Sequence, residues 1–321
     1  MKYIAISLVF ILTFSCKQKQ TKVEEKAIVS VAYKTELSAG NIERIEVFPS
    51  KYIASRTVDI WLPENYSATK KYAVLYMHDG QMLFDAETTW NKQEWNIDKT
   101  GGDLLAKGLL KPFIVVGIHS IASSRFFDLY PQKALNYIPK NTLEGIFSIA
   151  KENNVDMDLS KFNGDAYLKF LIQELKPYID RTYAVQPDKE NTFVMGSSMG
   201  GLMSMYAICE YPEVFSGAAC LSTHWIGMKY DKVDTGSIAT SFFDYIKDHM
   251  PDPNTHRIYF DFGTETLDQY YVEFEQEVNV LFKSKGYTNK NFENLKFEGA
   301  DHTERSWQKR LDIPLTFLLK K

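Results

Sequence analysis

"NTFVMGSSMGGLMSMY", residues 191–206, packs three kinds of local structure into one short stretch. Residues 192–195 form a continuous apolar run of strand type, and Leu202, Met205 and Tyr206 return at helical spacing. Between them stand Gly196, Ser197, Ser198, Gly200 and Gly201, which neither a strand nor a helix interior favours. A strand that feeds a helix through so tight a turn has the form of a nucleophile elbow, with Ser198 at its tip in Gly196-Ser197-Ser198-Met199-Gly200. The turn at such a serine is strained, so its neighbours must be small enough to clear strand and helix. Ser198 then stands above the sheet at a helix N-terminus, where the Met199 N–H can face a developing oxyanion. A Gly-rich corner that serves packing alone is the competing reading. The rest of the chain decides between them.

Residues 73–77, 113–116, 217–221 and 258–260 are likewise near-continuous apolar runs, as parallel strands buried on both faces require. Ahead of them, Ile45 and Val47, and then Val58, Ile60 and Leu62, alternate with polar residues and predict half-exposed antiparallel strands. Leu168, Leu171, Ile172 and Leu175 predict a helix closed by Pro177. Trp307, Leu311, Leu315 and Leu318 predict a last helix that Pro314 kinks or restarts. This alternation implies an α/β architecture, a mostly parallel central sheet covered by helices on both faces. Residues 120–165, rich in Tyr, Asn and Lys, break the rhythm and read as an excursion over the top of the sheet.

With 321 residues, 45% of them hydrophobic, the chain can bury a sizeable core. A net charge of −4 with Lys and Arg scattered among acids argues against a nucleic-acid surface. At the N-terminus, Lys2, an apolar run over residues 3–14 and Ser15-Cys16 have the form of a lipoprotein signal. Thr13 departs from that pattern, which usually places Leu three residues before the cysteine; here Leu12 is one further back. Residues 1–15 are accordingly expected to be a signal peptide, Cys16 the acylated residue, and 16–39 a flexible tether. Residues 40–321 are expected to form one domain, exported and held to the cell envelope through the lipid anchor alone. Cys209 and Cys220 lie in apolar contexts and read as buried thiols, and no cysteine spacing suggests a metal.

A nucleophilic serine needs a base, and the elbow class predicts the chain order serine, acid, histidine. His78 and His119 precede Ser198, His224 follows it too closely, and His249 and His256 lie before the 258–260 strand. His302, in the loop Gly299-Ala-Asp-His302 after a short strand, satisfies the order. The acid belongs in the loop after the preceding strand, where Asp268 is the first choice and Glu265 the second; Asp261 lies inside the strand. A second oxyanion donor is expected from the loop His78-Asp-Gly-Gln81, through the N–H of Gln81 or Gly80.

Taken together, "VLYMHDGQMLFD" (74–85), "TWNKQEW" (89–95), "GSSMGG" (196–201), "YFDFGTETLD" (259–268) and "GADHTERSW" (299–307) resemble the esterase family of α/β-hydrolases. That group contains enterochelin esterases, feruloyl and acetyl-xylan esterases, S-formylglutathione hydrolase and the mycolyltransferases. The resemblance covers residues 40–321 and implies a Ser198–Asp268–His302 triad, an oxyanion hole at Gln81 and Met199, and no cofactor. The acid position varies in the family, so Glu265 stays open beside Asp268. Trp90, Trp95 and Trp225 are candidates to line a sugar or aromatic acyl site, with burial in the core as the alternative. Arg125 is a candidate partner for an anionic group. The expected activity is hydrolysis, through an acyl-enzyme on Ser198, of acyl esters on extracellular carbohydrate. A siderophore esterase and an acyltransferase on the same fold are the alternatives. A non-catalytic binding lipoprotein is opposed by the intact serine, histidine and acids.

Overall fold

The computed structural model describes residues 28–227 and 235–321; the expected signal segment 1–15 and Cys16 lie outside the described residues. The strands are β1 (Val31–Tyr33), β2 (Asn41–Phe48), β3 (Arg56–Leu62), β4 (Ala73–His78), β5 (Phe113–Ile118), β6 (Thr192–Ser197), β7 (Gly217–Leu221), β8 (Arg257–Phe262) and β9 (Phe292–Lys296). They join in one sheet in the order β1-β2-β3-β5-β4-β6-β7-β8-β9. The β1–β2, β2–β3 and β3–β5 pairs are antiparallel. From β5 through β4 to β9 every pairing is parallel. Strand order reverses between β4 and β6, and loops leaving their C-terminal ends meet at that reversal, where open α/β sheets bind ligands.

The continuous apolar runs are explained by the two cores. Along β4, Ala73, Leu75 and Met77 join one core with Trp61, Phe113 and Leu315, while Val74 and Tyr76 join the other with Val116, Val194 and Ile258. Alternate residues of a strand face opposite sides, so a strand buried on both sides has no polar position. The first core is covered by α1 (Ile97–Ala106) and α10 (Asp312–Leu319), with α9 (Glu304–Gln308) beside it. Over the second lie α2 (Arg125–Asp128), α3 (Lys140–Glu152), α4 (Gly164–Phe170), α5 (Lys176–Thr182), α6 (Met199–Glu210), α7 (Thr235–His249) and α8 (Val272–Ser284). Each large apolar side chain so buried stabilises the fold by roughly 1.5–3 kcal/mol.

Several details differ from the sequence expectation. The register of β2 on β3 shifts between Ile45 and Phe48, which leaves Val47 67% exposed while Ile45 is buried. Strand β3 is buried on both faces rather than half-exposed. The cause is chain N-terminal to β2, assigned by the sequence to the tether. It carries β1, and its Ala39 carbonyl accepts from the Trp61 indole (2.9 Å). Thr35 Oγ1 donates to Asp85 (2.8 Å) and the Ser38 N–H to Asp98 (2.6 Å). Pro177 does not close its helix. A wide π turn at Leu171–Leu175 joins α4 to α5, absorbing the missing N–H and the clash that a proline brings to a regular helix. Pro314 stands in the first turn of α10, where no N–H is needed, so the last helical stretch restarts rather than bends. In the 120–165 excursion, Tyr130 packs against Phe162 and Phe242 (ring centroids 4.9 and 5.4 Å). Cys209 and Cys220 are free and buried, and burial pushes both thiols up. Among the described residues no helix is long and apolar enough to cross a membrane.

Candidate active site

Strand β6 ends at Ser197, α6 begins at Met199, and Ser198 between them has φ 56° and ψ −121°. A non-glycine residue in that region stores about 1–3 kcal/mol of strain and persists only where its surroundings impose it. Here the Ser198 N–H donates to the Leu221 carbonyl (2.9 Å), and its own carbonyl accepts from the N–H groups of Leu202 (3.1 Å) and His224 (3.3 Å). Strand, helix and the loop after β7 therefore clamp the serine from three sides. A Cβ at position 196 would lie 2.7 Å from the Gly200 carbonyl carbon, so the first glycine of the motif is a steric necessity.

His302 follows β9, and its Nδ1 bonds Asp268 Oδ1 at 2.5 Å. An ionised carboxylate only accepts, which assigns the Nδ1 proton to the imidazole and leaves Nε2 as the basic nitrogen. Asp268 is fully buried; its Oδ2 accepts from the Gly263 N–H and from Ser222 Oγ, both at 2.6 Å. The His302 N–H donates to Thr266 Oγ1 (2.9 Å), and the ring stands edge-on to Trp307 (5.1 Å) and Tyr271 (6.0 Å). His302 and Ser198 line the same cavity of about 610 Å³. No hydrogen bond joins them among the described residues; such bonds commonly tighten only around substrate. Glu265, the second candidate acid, is exposed. Its backbone carbonyl accepts from the Asp268 N–H (3.2 Å) and so helps to form the turn that presents Asp268.

Across the cavity, β4 ends at His78, Asp79 adopts a left-handed conformation (φ 56°, ψ 47°), and a single helical turn spans Gly80–Met82. The first N–H groups of this turn and of α6 have no intrahelical acceptor, which suits Gln81 and Met199 to receive an oxyanion. Gln81 is fixed from the side: its Oε1 accepts from the Ser120 N–H (2.9 Å). Gly80 lies so close to β5 that a Cβ there would sit 2.5 Å from the Gly117 carbonyl carbon.

Arg125 reaches this loop, donating from Nε and Nη2 to both oxygens of Asp79 at 2.7 Å. Its charge is thus taken up within the protein. Burial alone would raise the Asp79 carboxyl; the guanidinium overrides it and holds the group below the ordinary carboxylate range. A carboxyl depressed in the folded state adds stability above its unfolded value, near pH 4, and loses it as pH falls further. Arg125→Ala is therefore expected to cost about 2 kcal/mol near pH 7, less than a fully buried pair because the Arg125 side chain is 34% exposed. The cost should be smaller near about pH 3, where Asp79 begins to protonate, and should keep falling as pH drops through its depressed value. Urea unfolding at the two pH values checks this; an equal loss at both would mean that Arg125 acts by packing alone. His78, beside Asp79, is driven by burial down to about 4 and is neutral, with Nδ1 on the Tyr167 hydroxyl (2.8 Å).

The outer wall comes from the loop before α1. Trp90 is 85% exposed at the cavity rim. Trp95 lines the cavity from a buried position, 5.7 Å from Trp307. Asn91 Nδ2 donates to Glu304 Oε2 (2.6 Å) and the Arg305 N–H to Gln93 Oε1 (3.1 Å), stitching this wall to the histidine loop. Trp225 stands elsewhere. It is fully buried among Phe242, Phe243 and Phe260, with its indole on Glu275 Oε1 (2.6 Å). Burial pushes that carboxyl up to about 8. Trp225 is core, a correction to its placement in the substrate site. Ser222, Tyr271 and Asp79 support the site without having been assigned to it from the sequence, because none carries a motif of its own.

A family model described as "Putative esterase" matches residues 51–318. The chain is 27% identical over 199 residues to an endo-1,4-beta-xylanase/feruloyl esterase of Xylanibacter ruminicola; the match covers 60% of this chain and 23% of that protein, so it spans under a quarter of its relative. Among solved structures it resembles a ferulic acid esterase (TM-score 0.61, 16% identity, 88% of this chain and 98% of that one). It also resembles the enterobactin esterase of Shigella flexneri (TM-score 0.61, 17% identity, 86% of this chain and 59% of that one). At these identities the structural likeness establishes the fold.

Proposed function

The chain belongs to the Esterase family of carboxylic ester hydrolases, and from that premise we propose that it hydrolyses its ester through an acyl-enzyme on Ser198. The observation that carries this reading is the Asp268–His302 bond at 2.5 Å beside a clamped, left-handed Ser198 in one cavity. His302 Nε2 takes the Ser198 proton as Oγ attacks the carbonyl carbon. The oxyanion that forms is met by the N–H groups of Met199 and Gln81. The bond to the alcohol breaks and His302 returns the proton to it; water then repeats the sequence in reverse on the acyl-enzyme.

The substrate in this reading is an acyl ester of extracellular carbohydrate. The exposed Trp90 offers a flat apolar face at the rim, suited to a sugar ring outside the catalytic pocket. The name of the Xylanibacter relative supports the same class. Neutralisation of Arg125 by Asp79 speaks against an anionic catecholate as the preferred acyl group. The reading includes export and a lipid on Cys16, which would keep the enzyme beside such polymers. The test compares methyl ferulate, a feruloylated xylo-oligosaccharide and the cyclic lactone of dihydroxybenzoylserine. The oligosaccharide ester should exceed methyl ferulate in kcat/KM by about tenfold, one good stacking or hydrogen-bonding contact's worth. Preference for the lactone would overturn the carbohydrate assignment and leave the serine mechanism standing.

A further inference from the structure

The second oxygen of Asp268 is held by a side chain that no motif announces. Ser222 follows β7 with φ 43° and is fully buried. Its N–H donates to the Asp261 carbonyl (2.7 Å). Its hydroxyl contacts Asp268 Oδ2 (2.6 Å), Trp307 Nε1 (2.9 Å) and Arg310 Nη2 (3.1 Å). Indole and guanidinium N–H groups can only donate, so the single hydroxyl proton is committed to Asp268. Arg310 Nη2 also bonds Asp261 Oδ1 (2.8 Å), whose Oδ2 accepts from the Tyr259 hydroxyl (2.9 Å). Two fully buried carboxylates thus share one guanidinium that is 3% exposed, Asp261 directly and Asp268 through Ser222. Tyr271, just before α8, and Glu275 within it are further titratable groups that feel Asp268.

We infer that Ser222 is a positioning residue for the triad: its hydroxyl, aligned by Arg310 and Trp307, fixes Asp268 so that Oδ1 alone serves His302. This rests on the serine-hydrolase reading given above. A hydroxyl that merely held the loop together would leave proton chemistry untouched. One that positions Asp268 also draws negative charge from it, so its removal tightens the carboxylate's hold on the His302 proton. The imidazole then stays protonated to higher pH and is lost as a base there.

The test follows labelling of Ser198 in the full chain by diethyl p-nitrophenyl phosphate, read by intact mass across the acid limb. Serine Oγ bonds phosphorus, p-nitrophenolate leaves, and His302 takes the serine proton. Ser222→Ala keeps a Cβ in the left-handed region and Ser222→Gly relieves it, so the two differ in backbone strain and agree in losing the hydroxyl. Both should label about tenfold more slowly, with the acid limb moved up by about 0.5–1 pH unit. Wild-type rates, slower labelling with an unmoved limb, or loss of fold in both variants would each overturn the inference. Ser198→Ala runs alongside. If the wild-type chain labels there and this variant does not, the serine reading stands whatever the Ser222 variants do. A wild-type chain that fails to label removes both.

Discussion

Ser198→Ala should lower kcat by about 10⁶-fold on any ester the chain turns over, because serine, histidine and acid act as one unit and the remainder comes from the oxyanion hole and binding. The substitution is mild for the fold. Alanine and serine face the same strain at φ 56°, and the three backbone hydrogen bonds that clamp the elbow involve no side-chain atom. Steady-state release of p-nitrophenol from its acetate, with circular dichroism to confirm folding, measures the effect. Wild-type-like turnover in the folded variant would sink the mechanism.

Asp268→Asn should cost about 10⁴-fold in kcat, and the surrounding hydrogen bonds say why. The Gly263 N–H and the Ser222 hydroxyl both point at the Oδ2 position. An asparagine would keep its oxygen there and turn its NH₂ toward His302 Nδ1. That nitrogen would become an acceptor and the ring proton would move to Nε2, where it blocks the uptake of a proton from Ser198. Glu265→Gln is the matched control, expected within about twofold because an exposed carboxyl away from the imidazole has no share in its tautomer. The reverse pattern, with Glu265 essential and Asp268 dispensable, would reassign the acid.

The choice between those acids shows where sequence reading stops. Chain order confined the acid to the loop after β8, since a helix-and-strand rhythm sets which loops share an end of the sheet. Three residues apart on that loop, Asp268 and Glu265 differ only in which way the turn Thr266–Tyr270 points them, and that depends on a contact with Gly263 on the same loop and one with Ser222 far away in the chain. The elbow was legible because its constraint is local: small residues flank a serine that must clear its own strand and helix. Buried parallel strands were legible for the same reason, their centres being runs of apolar residues. Trp225 was not, because composition makes an indole equally suited to a wall or a core, and the Glu275 carboxyl that takes its N–H lies in another element. Val47 escaped its expected face through a register shift that leaves no mark in the alternation. Pro177 misled because a proline's cost to a helix is relieved by a wider turn whose presence is decided by packing.

The placement of the three side chains of the proposed triad has a consequence for how the molecule comes into being. Ser198 leaves the ribosome with β6, Asp268 only after β8, and His302 only after β9, the outermost strand on its side of the sheet. At synthesis rates of about 5–20 residues per second, the interval between serine and histidine is on the order of ten seconds. Until β9 is made, the proposed nucleophile has no base to activate it. On the proposed mechanism, the appearance of turnover therefore reports that the last strand has docked.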